Sequence, residues 1–358
     1  MFGRFLDLNR PIDRELINAV QQENFNQCKI TLEKGANIHT QKNQALAIAV
    51  AKQNLEIVKL LLSYRANVNA RKNEIINTVV RCGNLEMLKL LIDKIKNNES
   101  IVLAARYNHE DMFKLFLLKK KYNQRSINCS LYWAAKKGYL NIVKLIIHIA
   151  RNHLEALIIA TISDHLEIVK LFSEEHNHQV ILYYSCKYGS ESVTKYILEC
   201  GKTKINYNNL VDAVSGNHSK VIDLILSYEI FPEIHKLLKY ALGLQHTDTI
   251  QILLKYGARI DKIVYMNEEI LSVFLKYGYK MHLLDLNSYK AVRTLLNYHP
   301  DTFLRFSSEL YQGLLKLKDP KIKKLISLYD LHPFYKDILH IENTVYYTQL
   351  ELLMLQQS

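Results

Sequence analysis

Apolar and polar positions along this chain recur in two linked sets. Four segments make the pattern plain: NLEIVKLLL (54–62), NLEMLKLLI (84–92), YLNIVKLII (139–147) and HLEIVKLFS (165–173). Each carries apolar residues at helical spacing and predicts an amphipathic helix of about nine residues. The Lys within the segment serves as a register mark. That position reads Lys29, Lys59, Lys89, Lys114, Lys144, Lys170, Lys195, Asp223 and Gln251, a period of the length that helical repeat arrays use. Ten positions upstream of each stands a small residue: Ala19, Ala49, Val79, Ala104, Ala134, Ala160, Ser185, Ala213 and Ala241. Three positions before each of these comes Leu16, Leu46, Ile76, Ile101, Leu131, Leu157, Leu182, Leu210 or Leu238.

An apolar residue at i and a small one at i+3 share one helix face, and the small one lets the next helix approach closely. Two helices this short are marginal in water alone, but stacked pairs bury both faces in a continuous core. Gly35, Gly201 and Gly257 lie six positions past their register marks, where the second helix should end. Glycine supplies a left-handed cap there. The pattern therefore predicts an all-α solenoid of ten to twelve stacked helix pairs with little or no sheet. Its expected organisation is a lead-in (1–12), nine repeats (13–261), and shortened repeats with a helical cap (262–358). The shortening is read from LLKYG (253–257), FLKYG (274–278) and LLNYH (295–299), which recur at an equal, shorter step. A fuller unit is expected near 321–328, and residues 334–358 read as the Tyr-rich cap that closes such a core.

The best unit runs from Cys129 to Lys144, CSLYWAAKKGYLNIVK, with Leu131, Ala134 and Gly138 in place. It resembles the T-P-L-H-x-A…G-H-L-E-I-V frame of the ankyrin family. The endings EKGANIH (33–39), SYRANVN (63–69) and KYGARID (255–261) are similar to that family's G-A-x-x-N tail. In its Ile, Asn, Lys and Tyr usage the chain resembles divergent ankyrin proteins of large DNA viruses and intracellular bacteria. The resemblance covers residues 13–261 and implies a protein-binding scaffold, not an enzyme, with no cofactor. No unit keeps an intact T-P-L-H. The shorter steps, such as Lys89 to Lys114 and Lys170 to Lys195, fall well below the ~33 residues of the family's repeat. Several units should therefore lack the projecting β-turn finger.

Composition narrows the picture. Of 358 residues 49% are apolar, with only 11 Gly and 5 Pro, which disfavours long linkers and turn-rich β folds. The five cysteines are odd in number and form no C-x-x-C pair, so a disulfide framework and a cysteine zinc site are disfavoured and a reducing compartment is expected. The opening MFGRFLDLNRPIDRE has no apolar secretory core, and no stretch reaches the ~18–20 apolar residues of a membrane span. A soluble, cytoplasmic protein is expected, in one reading within the cytosol of a host cell. The net charge of +12 is dispersed, with one knot at Lys119, Lys120, Lys121 and Arg125. It favours acidic partners without choosing among protein, nucleic acid and membrane surface.

Motifs of catalysis are weak. Gly201-Lys202-Thr203 ends like a P-loop, but Tyr196 stands where the first glycine belongs, and the tripeptide follows a helix instead of opening one. His176 and His178 with Glu174 and Glu175 fall in an inter-repeat loop without further ligands at zincin spacing. His109, His165, His218 and His246 recur with the repeat and read as turn residues.

Positions two and three past the small register residue turn away from the Leu/Ala face. In the ankyrin family they line the concave binding surface. Here they read Gln21/Gln22, Ala51/Lys52, Arg81/Cys82, Arg106/Tyr107, Lys136/Lys137, Ile162/Ser163, Lys187/Tyr188, Ser215/Gly216 and Gly243/Leu244, and none is acidic. The candidate partner-binding residues are Lys52, Arg81, Arg106, Tyr107, Lys136, Lys137, Lys187 and Tyr188, forming one basic stripe. Trp133, the single tryptophan, joins them. It either anchors a partner or lies half-buried against the neighbouring unit. The expected partner of this monomer is an acidic protein. An adaptor whose residues 303–358 recruit a ubiquitin ligase is the alternative, although His332-Pro333 makes a poor opening for such a module. Nucleic-acid binding is a second alternative and needs only the charge.

Overall fold

A computed structural model describes residues 10–172, 177–259 and 267–277, together with residue 320. Among the described residues the chain forms helices, turns and loops, with no strand. The helices fall into two compact units, divided between Lys204 and Ile205. In the first unit the pairs are α1 (Pro11–Gln21) with α2 (Phe25–Glu33), α3 (Thr40–Ala51) with α4 (Leu55–Ser63), and α5 (Glu74–Cys82) with α6 (Leu85–Leu91). They continue as α7 (Ser100–Arg106) with α8 (Glu110–Lys119), α9 (Gln124–Lys137) with α10 (Leu140–Ile146), α11 (His153–Ile162) with α12 (Leu166–Phe172), and α13 (His178–Tyr188) with α14 (Glu191–Glu199). The second unit holds α15 (Tyr207–Ser215) with α16 (Ser219–Tyr228), α17 (Ile234–Leu244) with α18 (Thr247–Lys255), and α19 (Glu268–Lys276). The fuller repeat near 321–328 and the cap at 334–358 lie outside the described residues, as does most of 262–358.

Within each unit, first helices pack on first helices. The series α1, α3, α5, α7, α9, α11, α13 is continuous in the first unit, and α15 packs on α17 in the second. The register residues make this contact. All nine Leu/Ile positions and all nine small ones are at most 2% exposed. The one hydroxyl among them, on Ser185, donates to the carbonyl of Leu182 at 3.1 Å, so its burial leaves no polar atom stranded.

Among the described residues the link between the two helices of a pair is one conformation used nine times. Four positions past the small residue stand Glu23, Gln53, Gly83, Asn108, Gly138, Asp164, Gly189, Asn217 and Gln245, with φ between 55° and 78°. The next residue donates its backbone N–H to the carbonyl of the small residue in every pair, from Asn24 to Ala19 at 2.9 Å through His246 to Ala241 at 3.2 Å. This is a Schellman closure, which satisfies carbonyls at the end of the first helix while the chain turns into the second. Only three of the nine are glycine. The glycines singled out from the sequence cap the other end of the repeat, where Gly35, Gly201 and Gly257 have φ of 87°, 63° and 81°.

The missing T-P-L-H is replaced by another polar tie. The residue six before the small one accepts a backbone N–H from the following inter-repeat loop. Asp13 Oδ1 takes Asn37 N–H at 2.7 Å, Asn43 Oδ1 takes Asn67 N–H at 2.8 Å, and Asn128 Oδ1 takes Arg151 N–H at 3.1 Å. In the second unit His235 Nδ1 takes Arg259 N–H at 2.8 Å. Asp13, 1% exposed, also receives Nε and Nη2 of Arg10. Burial pushes its carboxyl upward, but the hydrogen bond from Asn37 and the Arg10 guanidinium outweigh this and hold it below its ordinary value.

Candidate partner-binding face

The first helices of the first unit end side by side, because consecutive ones pack together. Their last residues include Arg81 on α5, Arg106 on α7, Lys136 and Lys137 on α9, and Lys187 on α13, all exposed. Cations in a last helical turn complement the partial negative charge of the helix end, so part of their placement serves the helices themselves. Ile162 and Ser163, at the end of α11, interrupt the series and are half-buried.

Two aromatic groups lie among these cations. Trp133 is half-buried, and the guanidinium of Arg106 from the preceding pair lies over its ring, 4.3 Å from the centroid. The ammonium of Lys136 lies over the same ring at 5.3 Å and over Tyr132 at 5.8 Å. Tyr132 meets Trp133 edge-on at 5.7 Å. Trp133 thus meets the neighbouring pair through the Arg106 cation. On α13 the rings of Tyr183, Tyr184 and Tyr188 run in sequence, with centroids 5.0 and 6.3 Å apart. Lys187 Nζ donates to the Tyr183 hydroxyl at 3.1 Å. Tyr107 is 43% exposed and stacks on His109, and Tyr188 is 48% exposed, so both offer ring surface to solvent.

Lys52 differs from the others. Its Nζ pairs with Glu23 of the preceding pair at 3.2 Å, and Asn54 donates to the same carboxylate. These two contacts hold the Glu23 carboxyl below its ordinary value. Several lysines of the second helices are paired likewise. Lys29 pairs with Glu33, Lys89 with Glu86, Lys114 with Glu110, Lys170 with Glu167 and Lys195 with Glu199. Among the described residues Lys59 and Lys144 have no such partner, and neither do Arg81, Arg106, Lys136 and Lys137 at the ends of the first helices: no acidic side chain lies within 4.0 Å of any of them.

The repeated histidines serve the turns. His165 Nε2 bonds the carbonyl of Lys136 at 3.2 Å and His246 Nδ1 that of Val214 at 2.9 Å. The αL residue of one pair often reaches the next: Gln53 bonds Asn84, and Asp164 accepts the backbone N–H groups of Ser192 and Val193 at the start of α14. These ties were not read from the sequence. Their signal is a polar or glycine residue four past the small mark in every unit, a column the register made available. Gly201-Lys202-Thr203 follows α14, with Gly201 in the turn after it. His178 opens α13, whereas Glu174, Glu175 and His176 lie outside the described residues. All five cysteines are free thiols. Residues 303–358, the adaptor segment of the alternative reading, lie outside the described residues apart from residue 320. No described helix is long and apolar enough to cross a membrane.

Stacked helix pairs, joined by a repeated left-handed turn and tied loop to helix, define the class of helical repeat proteins. The family described as ankyrin repeats (3 copies) matches residues 16–101, 101–181 and 131–209, more than half of the chain. The chain belongs to the ankyrin-repeat family. Ankyrin repeats generally mediate protein–protein interaction, and proteins built from them are typically scaffolds without enzymatic activity. No curated protein matches the chain.

Proposed function

We propose that this protein binds an acidic partner protein, as a monomer, through the exposed basic ends of α5, α7, α9 and α13. One observation carries the reading: Arg81, Arg106, Lys136 and Lys137 gather at the ends of adjoining first helices with no carboxylate partner among the described residues, whereas Lys29, Lys52, Lys89, Lys114, Lys170 and Lys195 each have one. Like charges in neighbouring helix ends repel, softened by screening over ~8 Å at physiological salt, and contribute little to folding beyond the helix-end interaction. An acidic partner offsets that repulsion. Tyr107 and Tyr188 add contact area at low entropic cost. Five free thiols suit action in a reducing compartment.

The test compares the full chain with Arg106→Glu/Lys136→Glu/Lys137→Glu as baits for cross-linking and affinity capture. Proteins lost from the reversed bait should be acidic, and their binding to the wild type should weaken as salt rises. A captured set unchanged by reversal refutes the reading. Capture that vanishes on nuclease treatment refutes it in favour of nucleic acid.

A further inference from the structure

Arg106 and Lys136 converge on one indole although no acidic side chain among the described residues draws them together. The ring itself accounts for part of this, because an aromatic face attracts cations. The ring also anchors the guanidinium. With its central carbon 4.3 Å from the Trp133 centroid, Arg106 spends no guanidinium N–H group on a hydrogen bond among the described residues. A guanidinium edge offers two parallel N–H groups, the geometry that a planar oxyanion accepts. Lys136 adds a movable ammonium beside it. Two cations engaged with Trp133 also leave its ring less open to a stacking base.

A second cationic group lies two pairs farther along, where Lys187 is held on Tyr183. Between the two groups, at the end of α11, comes Ile162, half-buried and without charge. Helices α7, α9, α11 and α13 pack in that order within one unit. Three steps at the usual 8–10 Å between packed helices span roughly 25–30 Å. An extended chain covers that distance in about eight or nine residues.

We infer that Arg106, held over Trp133 and joined by Lys136, is a carboxylate clamp, and that it reads one end of an extended acidic segment. The other end of the segment meets Lys187, and an uncharged residue between them lies over Ile162. This rests on the proposed acidic-partner face and assigns its chemistry. Neutral contact at Ile162 excludes a uniformly charged polymer as the best fit, because a charge there would be desolvated against an apolar side chain. Replacing Arg106 by Lys keeps the charge but removes the planar fork, and so isolates the clamp from the face.

Trp133 is the only tryptophan, so its emission reports on this one place. The probe is a fluorescein-labelled peptide of about nine residues with carboxylates at both ends and a leucine between them. An unlabelled copy serves for the emission measurement. Added to the full chain, the peptide should bind by anisotropy and change Trp133 emission. Arg106→Lys, with an unaltered circular-dichroism spectrum, should weaken binding by about tenfold and abolish the emission change. Lys187→Met should weaken binding without abolishing it. Peptide that binds without changing the emission, and equally to Arg106→Lys, overturns the clamp. The acidic-partner face still stands if the triple charge reversal abolishes that binding. No binding to the wild type overturns the clamp, and the face is then decided separately by the capture experiment. Tighter binding of a phosphoserine peptide or an oligothymidine overturns the assignment to carboxylates.

Discussion

The imidazole of His165 lies against Gly138, so closely that a Cβ built at 138 would stand 2.8 Å from Cε1 and 2.9 Å from Nδ1. The ring is not free to swing away, since Nε2 is bonded to the carbonyl of Lys136. Gly138 also has φ of 78°, in the left-handed region. Gly83 and His109 repeat the arrangement, with a closest approach of 2.6 Å. Gly138→Ala is therefore expected to destabilise the chain by roughly 1–2 kcal/mol from backbone strain alone, with the ring contact in addition. In a double-mutant cycle with His165→Ala the combined loss should be smaller than the sum, because removing the ring removes the clash. Additive losses in urea denaturation would show that the two residues do not press on each other.

Ala134 is fully buried where α9 meets its neighbouring first helices, in the column of small residues. Ala134→Leu should overpack that contact at a cost of roughly 1–3 kcal/mol, and Ala160→Leu should do likewise. Thermal unfolding measures both. Unchanged melting would mean that the column does not set the spacing of the helices.

Asp13 gives the first helix pair a pH dependence of definite sign. Its carboxyl is held below the ordinary value of 3.8 in the folded chain. A depressed carboxyl contributes stability that is fully present above the unfolded value and is lost as pH falls through the folded one. The difference in urea midpoint between wild type and Asp13→Asn should hold steady from neutral pH to about 5 and shrink below about 4. A difference that grows on acidification would refute the assignment. At neutral pH, Asp13→Ala removes the acceptor of the buried loop N–H as well and should cost roughly 1–3 kcal/mol.

Charge reversal at Arg106, Lys136 and Lys137 should leave the melting temperature close to that of the wild type. None of the three has a carboxylate partner among the described residues, and all three side chains are exposed. Surface substitutions of this kind usually shift stability by within about 0.5 kcal/mol each. The lost helix-end interaction and the lost cation contacts with Trp133 are each worth about 1 kcal/mol or less at exposed positions, and attraction of the new carboxylates to Arg81 and Lys187 works against that loss. A large fall in melting temperature would show that these cations serve the fold and would weaken the case for a binding face.

The helix pairs and their buried face were legible in the sequence because they depend on local spacing. An apolar residue at i and a small one at i+3 must share a helix face whatever surrounds them. So Leu131 and Ala134, or Leu16 and Ala19, declared their burial without reference to the rest of the chain. The exposed positions just beyond the small residue followed from the same geometry. What passed between repeats was not legible. Lys52 shares its column with Lys137, yet Glu23 of the preceding pair neutralises it. Arg106 and Trp133 belong to successive repeats and meet over one ring. These pairings depend on how far one helix pair is displaced from the next. The step from Lys89 to Lys114 is shorter than that from Lys59 to Lys89, so sequence separation does not measure that displacement. Only the stacked structure decides which side chains cross the gap, because it alone sets the distance between them.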